Sequence, residues 1–146
     1  VAIGGVSAPA SAKSKGYVFK YKGVSVTMNG AAKKLIKKAG KPSKKTVKKS
    51  CAYKGKDRTY TYKDFQLKTY SKTNNGAEYV SEIRFRSNKA VTKEGIRIGS
   101  SLKAVTKKYG KAKARFGVYT FKKGSSKLQI MLNGNKVSAI RYFASK

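Results

Sequence analysis

The chain has 146 residues, of which 36 are Lys or Arg and only five are Asp or Glu, so its formal net charge is +31. This length predicts one domain, or two small repeats that share a core, and a hydrophobic content of 39% is enough to form that core. The charge favours anionic partners. Because Lys far outnumbers Arg, diffuse attraction is favoured over base-specific reading of nucleic acid. No apolar run of about 18 residues occurs, so the sequence predicts no membrane-spanning helix.

The first 16 residues are predicted to be a leader remnant or a flexible tail. Residues 8–12, Ala-Pro-Ala-Ser-Ala, are typical of the end of a secretory leader with an A-x-A cleavage site. We therefore expect a bacterial protein that is secreted or associated with the cell envelope. In such a protein the single cysteine, Cys51, cannot form an internal disulfide, and we expect a partly buried free thiol.

Residues 17–86 are predicted to form a first repeat. A short strand at 23–26 precedes a helix at 31–39, which Asn29 is expected to cap and Gly40 to end. Period-2 alternation then predicts three strands. They cover residues 59–62, 65–70 and 79–86.

After a linker at 87–94, residues 95–146 are predicted to form a second repeat with the same order. A strand at 95–98 precedes a helix at 102–109, for which Ser100 or Ser101 is the expected cap and Gly110 the stop. Three strands follow, and the Asn-Gly pair before the last of them is a strong hairpin signal. They cover residues 118–122, 128–132 and 137–143.

Nearly the same six letters end the strands of both copies: VSEIRF at 80–85 and VSAIRY at 137–142. This echo and the shared order of elements predict an internal duplication. The expected fold is α+β: two tandem helix-plus-antiparallel-strand repeats that form one curved sheet with the helices on one face.

Two segments resemble a known family. EGIRIGSSLKAVTKKYGKAK, at 94–113, resembles the opening found in exported bacterial proteins with the beta-lactamase-inhibitory-protein fold and in small outer-membrane lipoproteins that assist barrel assembly. SCAYKGKDRTYTYKDFQLKTY, at 50–70, resembles a stretch of exported Firmicute proteins of that type. The resemblance covers roughly residues 17–143. It implies two tandem units whose strands share one sheet with a concave front; where relatives often carry Asp or Glu, this chain carries Lys.

Strand alternation separates a core face from an open face. The residues assigned to the core are Tyr60, Tyr62, Phe65, Leu67, Ile83, Phe85, Tyr119, Phe121, Leu128, Ile130, Leu132, Ile140 and Tyr142. The opposite face carries a candidate binding set in which Arg, Met and aromatic residues recur, as they do where proteins meet partners. That set is Lys68, Tyr70, Arg84, Gln129, Met131, Arg141 and Phe143. The alternative is an ordinary solvated sheet face with exposed charges.

Lysine clusters on the helices and the loop after the first helix form a second candidate site, for polyanions. Its residues are Lys33, Lys34, Lys37, Lys38, Lys44, Lys45, Lys48, Lys49, Lys107 and Lys108. Since apolar residues hold each helix against the sheet, we expect these lysines on the face away from Arg84 and Arg141. The alternative is a solvated face that only keeps the protein soluble.

The sequence offers little for catalysis. The chain has no His and one Cys, so a metal site or a nucleophile–base pair lacks its parts, and no phosphate-binding loop occurs. We therefore predict no enzyme activity and no cofactor. We also expect no pocket to gather Cys51 with two or more of the five carboxylates.

The predicted function is an exported, non-catalytic binding module. It associates with an anionic, teichoic acid-like polymer, with a protein partner through the open sheet face, or with both. Two alternatives stay open: an inhibitor of an extracellular enzyme, and a non-specific nucleic-acid or membrane-surface binder.

Overall fold

A computed structural model of the protein describes residues 16–51, 53–111 and 114–144. The predicted leader remnant therefore lies outside the described residues, apart from Gly16. Nine strands and two short helices form in the described chain. In order they are β1 (Val18–Tyr21), β2 (Val24–Thr27), α1 (Lys33–Ala39), β3 (Lys44–Lys49), β4 (Lys56–Thr61), β5 (Phe65–Ser71), β6 (Glu78–Phe85), α2 (Leu102–Tyr109), β7 (Val118–Lys123), β8 (Ser126–Asn133) and β9 (Lys136–Ala144).

The strands form two antiparallel sheets. Strands β1 and β2 pair only with each other, and the other seven form one sheet in the order β3-β4-β5-β6-β9-β8-β7. The last strand of the chain therefore lies in the interior of the sheet, where Glu82, Ile83 and Arg84 of β6 face Phe143, Tyr142 and Arg141 of β9. This short pairing joins the two halves of the chain into one sheet.

The predicted α+β fold of two tandem helix-plus-strand repeats is wrong. The described residues are mostly β, with 49% strand and 12% helix, and their seven-stranded and two-stranded sheets do not divide into two such repeats. Residues 95–98, predicted as a strand, form a bend and irregular backbone that leads into a turn, and the flanking Gly95 and Gly99 adopt φ values of 94° and 100°, outside the strand region. Residues 23–26 do form a strand, but it is β2, which belongs to the separate two-stranded sheet.

The lysine-rich stretch predicted to be a loop forms the edge strand β3. All six of its residues are exposed, and each pairs in register with a residue of β4. Lysines are compatible with a strand at an edge, because their side chains reach solvent from both faces. The high charge of this stretch concealed a strand that Thr46 and Val47 favour.

Both predicted helices are confirmed, the first with a later start. Gly40 and Gly110 follow them with φ values of 80° and 88°, and the Ser101 hydroxyl caps α2 by accepting the N–H of Ala104 at 3.1 Å. Asn29 does not cap α1, which begins after Ala32 without a side-chain cap.

The core lies on one face of the large sheet, covered by the two helices and the β1–β2 hairpin. Phe19 of the hairpin is fully buried, with ring centroids of Phe65, Phe85 and Tyr142 at 5.3, 5.4 and 6.3 Å. The face assignment from alternation is confirmed: eleven of the thirteen predicted core residues are buried, and Tyr119 and Leu132 pack partly buried against them.

A carboxylate links three strands at the edge of this core. Glu78 of β6 accepts hydrogen bonds through Oε1 from the hydroxyls of Tyr60 in β4, at 2.6 Å, and Thr69 in β5, at 2.7 Å. Burial, together with the bond to this carboxylate, raises the pKa of Tyr60. Tyr62 follows the last residue of β4, and its buried hydroxyl has no hydrogen-bond partner among the described residues.

These two tyrosines provide a matched test. Tyr60→Phe removes a hydrogen bond to a charged group, so we expect the free energy of unfolding to fall by about 1.5–3 kcal/mol. Tyr62→Phe removes an unpaired buried hydroxyl, so the same quantity should stay level or rise by up to about 1 kcal/mol. Urea denaturation measures both changes. Equal losses would show that the Tyr62 hydroxyl has a partner in solution.

Burial also raises the pKa of most of the tyrosines above the ordinary value of 10.0. The seven affected are Tyr17, Tyr21, Tyr60, Tyr62, Tyr70, Tyr109 and Tyr142. Above pH 10 the unfolded chain loses these protons while the folded protein keeps them. Their contribution to stability is therefore fully present below pH 10 and is lost as the pH rises through the folded-state values.

We accordingly predict that tyrosinate absorbance appears at higher pH in buffer than in concentrated urea for most of the ten tyrosines. Ultraviolet spectrophotometric titration of both samples measures the difference. Superimposable curves would contradict the burial of these hydroxyls.

Candidate functional site

The sheet face opposite the core carries a continuous polar row. Because the strands pair in register, one residue from each of the seven strands lies side by side across the whole sheet. From edge to edge the row is Lys44, Thr61, Gln66, Arg84, Arg141, Gln129 and Thr120. We call this side of the sheet, with the residues of the same parity in each strand, the open face.

Two arginines share one carboxylate at the centre of the open face. Arg84 and Arg141 are cross-strand partners, and Arg84 Nη2 donates to Glu82 Oε2 at 3.2 Å. Arg141 Nε lies 3.3 Å from the same oxygen, an ion pair without hydrogen-bond geometry. Arg141 also donates to Gln129 Oε1 at 3.3 Å and stacks on the Phe143 ring, 4.4 Å from its centroid. The cluster keeps one net positive charge in a fixed position.

A cleft of about 650 Å³ opens beside this cluster, over β4, β5, β6 and β9. Lys48 of the edge strand lines one side together with Ser50, Cys51 and Tyr53. Glu82, Arg141 and Phe143 line the other side. The cleft thus combines cationic, anionic and aromatic side chains on a concave surface, as ligand sites do.

The loop that bounds the cleft is closed tightly at its base. The N–H of Ser50 donates to the carbonyl of Gly55 at 3.1 Å, and the Ser50 hydroxyl accepts the N–H of Tyr53 at 3.2 Å. Gly55 packs so closely on β5 that a Cβ atom there would lie 1.9 Å from the Ser71 carbonyl oxygen. Only glycine fits this contact, which holds Tyr53 at the mouth of the cleft.

Three tyrosines form a column of rings at this end of the sheet. Tyr53 and Tyr70 stack with centroids 5.2 Å apart and an interplanar angle of 14°, and Tyr79 follows 5.6 Å from Tyr70. The Tyr70 hydroxyl donates to Asn29 Oδ1 at 2.9 Å, which fixes the middle ring.

A β-bulge in β6 places the third ring in the column. Lys68 pairs with Glu82 and Thr69 pairs with Val80, so Ser81 is the extra residue. Its hydroxyl donates to the Lys68 carbonyl at 3.1 Å. The bulge reverses the alternation, so that Val80 is buried and Tyr79 joins the open face opposite Tyr70.

The candidate sheet-face set all lies on the open face. Lys68, Tyr70, Arg141 and Phe143 line the cleft. Arg84, Gln129 and Met131 line a neighbouring pocket of about 150 Å³, which Arg141 also borders. Sequence reasoning missed Tyr53 and Tyr79. Tyr53 was missed because the Ser-Cys-Ala-Tyr segment has no hydrophobic periodicity. Tyr79 was missed because the bulge that places it depends on the pairing of two strands.

The candidate polyanion set is exposed but is not confined to the side away from the arginines, as the sequence predicted. The lysines of α1 and α2 are exposed on the helix side. Those of β3 divide between the faces: Lys44 and Lys48 have the parity of the open face, and Lys45 turns to the core side over the Tyr60 ring, at 5.2 Å. Lys48 even lines the cleft. The prediction is wrong because β3 is a strand rather than part of a helical surface.

Cations therefore lie on every strand of the open face except β4. They are Lys44 and Lys48 in β3, Lys68 in β5, Arg84 in β6, Arg141 in β9, Lys127 in β8 and Lys122 in β7. Both ion pairs of the described residues join an arginine to Glu82, so no described lysine is neutralised by one.

The expectation that no pocket gathers Cys51 with two carboxylates is wrong, because Asp57 and Glu82 line the cleft with it. Asp64 lies elsewhere, accepting hydrogen bonds from the hydroxyls of Tyr21 at 3.1 Å and Ser87 at 2.8 Å. Cys51 is exposed, not partly buried as predicted, and it shows no hydrogen bond to either carboxylate within the described chain. Among the described residues, no three potential metal ligands cluster.

None of the helices in the described ranges is both long and apolar enough to cross a membrane. Comparison of the chain with protein-family models, curated proteins and solved structures finds no match. The resemblance of residues 50–70 and 94–113 to exported bacterial proteins stays a prediction, and the two-repeat fold that it implied is corrected above.

Proposed function

We propose that the protein is a non-catalytic binding module that holds linear anionic polymers across the open face. The observation that carries the proposal is the series of open-face cations, one or two on each of six of the seven strands, in which no lysine has an ion pair. Such a surface attracts polyanions by long-range electrostatics and releases their counterions on contact.

Four of the five carboxylates of the chain are engaged by hydroxyl groups or by arginines, and the fifth, Asp57, lies opposite Lys48 without forming an ion pair. Glu78, Asp64 and Glu94 accept hydrogen bonds from hydroxyl groups, in the last case from Tyr109 at 2.7 Å. Glu82 is held by two arginines. Acidic groups that are bound in this way leave the lysine charge available to a ligand.

The geometry of the sheet suits a linear ligand. Neighbouring strands lie about 4.8 Å apart, so the polar row across seven strands spans roughly 29 Å. A polymer that lies across the sheet meets, at each strand, a side chain that carries a charge or a hydrogen-bonding group. Because most of the cations are lysines, which act as flexible point charges, we expect tolerance of polymer sequence and strong dependence on salt.

The setting that we propose is the cell envelope or its exterior, on the strength of the leader-like residues 8–12 and the charge. Teichoic acid-like polymers and nucleic acids released from cells both have the required linear negative charge. The non-catalytic role is proposed because the chain lacks histidine and the cleft holds no hydrogen-bonded nucleophile–base pair among the described residues.

A second candidate function is the binding of a protein, including inhibition of an enzyme. The observation that favours it is the pocket between Arg84 and Met131, where the Met131 residue is 47% exposed. Met and Arg are enriched in protein interfaces. A protein interface of this kind persists in high salt, whereas binding of a polyanion weakens steeply.

Two variants with the same change in charge test which surface binds. The open-face variant replaces Lys44, Lys48, Lys68 and Lys127 with Gln; the helix-side control replaces Lys33, Lys34, Lys37 and Lys38 with Gln. Binding of inorganic polyphosphate, measured by calorimetry at several salt concentrations, gives the slope of log affinity against log salt. We expect the open-face variant to reduce the slope by about 3, at roughly 0.7–0.9 per lost contact, and the control by less than about 1.

Circular dichroism of both variants establishes that they are folded. Equal reductions would show that the attraction is spread over the whole protein. A larger reduction in the control would place the binding surface on the helix side and contradict the proposal.

A further inference from the structure

The cleft offers an anionic polymer more than charge. Tyr53 and Tyr70 of the tyrosine column line it together with Lys48 and Lys68, and Tyr79 packs on Tyr70 outside the lining. Tyr53 is 41% exposed and stacks on Tyr70, and Nζ of Lys72 lies 6.0 Å from the centroid of the Tyr53 ring. The exposed part of this ring can receive a further ring beside the flexible lysine side chain. Aromatic rings beside a cationic track are the combination by which proteins hold single-stranded nucleic acids.

The geometry determines where a ligand ring adds. A ring inserted between two others needs a separation of about 7 Å, since carbon atoms in contact lie about 3.5–4.0 Å apart. Tyr53 and Tyr70 are 5.2 Å apart, so no ring fits between them. The available position is the end of the column at Tyr53.

We infer that the cleft binds single-stranded nucleic acid, with a base stacked on Tyr53 and the neighbouring phosphates on Lys48, Lys68 and Arg141. The inference rests on the proposed function and names the class of polymer that the cleft selects. A ring-free polyphosphate would use only the cations. A duplex would also lose the stacking contact, because its bases are already stacked and paired.

The remaining groups of the cleft fit an unpaired base. Asp57, Glu82 and Asn29 bring carboxylate and amide oxygens to the same surface, and these accept hydrogen bonds from N–H groups on base edges. If the ligand were a polyanion without bases, the two carboxylates of the cleft would repel it and weaken its binding. With a stacking ring that accepts any base, we expect little preference for sequence.

The ligand side of the test compares two oligonucleotides with equal numbers of phosphates. One is a fluorescently labelled 15-residue oligo(dT), and the other is an abasic oligodeoxynucleotide of the same length. Fluorescence anisotropy at fixed salt gives both affinities. We expect the native protein to bind oligo(dT) about 5- to 160-fold more tightly, which corresponds to the stacking energy of one base.

The protein side of the test uses Tyr53→Ala, with Tyr53→Phe as the control that keeps the ring. Because Tyr53 lies on an exposed loop, neither change should unfold the protein. Tyr53→Ala should remove the preference for oligo(dT) and leave polyphosphate affinity and the salt slope unchanged. Tyr53→Phe should bind oligo(dT) within about twofold of the native protein.

Equal affinity of the native protein for the two oligonucleotides would overturn the inference, as would tighter binding of a 15-base-pair duplex. An oligo(dT) affinity unaffected by Tyr53→Ala would overturn it too. If any of these results is found while the open-face lysine variant still shows a weaker salt dependence of polyphosphate binding, the ligand is a polymer without stacking rings. The proposed function then stands. If the salt dependence of polyphosphate binding is the same for that variant and the native protein, the proposed function itself is wrong.

Discussion

The pairing of β6 with β9 is the interaction on which both the sheet and its open face depend. Only three residue pairs form this seam, yet it joins four strands from the first half of the chain to three from the second. The same three pairs place Ile83 and Tyr142 in the core and bring Arg84, Arg141 and Glu82 together on the other side. The seam therefore shapes the hydrophobic core and the charged surface at once, and neither half of the chain contains the complete cluster.

A second constraint is the small number of acidic groups. The chain has five carboxylates, and the fold uses most of them for internal contacts with tyrosine, serine and threonine hydroxyls or with arginine. In a protein of ordinary composition, surface lysines would find acidic neighbours across the strands. Here Lys48 and Lys68 face Asp57 and Glu82 across the strands, but neither lysine forms an ion pair, so the surface keeps most of its charge. In the cleft, Asp57 and Glu82 line a common cavity with cations.

The sequence predicted the features that depend on local periodicity. Alternation along a strand reports which side chains are buried, so the core and the open-face set could be assigned before the strand order was known. Helix ends could be placed because Gly40 and Gly110 supply the left-handed backbone that a helix stop requires.

Features that depend on pairing between distant segments could not be predicted in this way. The bulge at Ser81 results from a shift in the register between β5 and β6, and this shift places Tyr79 on the open face. Strand β3 was concealed because charge is a poor guide at a sheet edge, where both faces of a strand reach water. The duplication was inferred from two similar strings, and both of them form strands, β6 and β9. The segments expected to open the two repeats differ, because Val24–Thr27 forms β2 whereas residues 95–98 form no strand.

The unpaired lysines also connect folding to the ionic surroundings. Mutual repulsion among like charges lowers the free energy of unfolding at low ionic strength, and dissolved ions relieve it. Added salt therefore makes the protein more resistant to unfolding while it weakens the hold on a polyanion. A bound polymer relieves the same repulsion and also favours the folded chain by mass action. A bound polymer and dissolved salt thus both raise the free energy of unfolding, although they compete for the same charged surface.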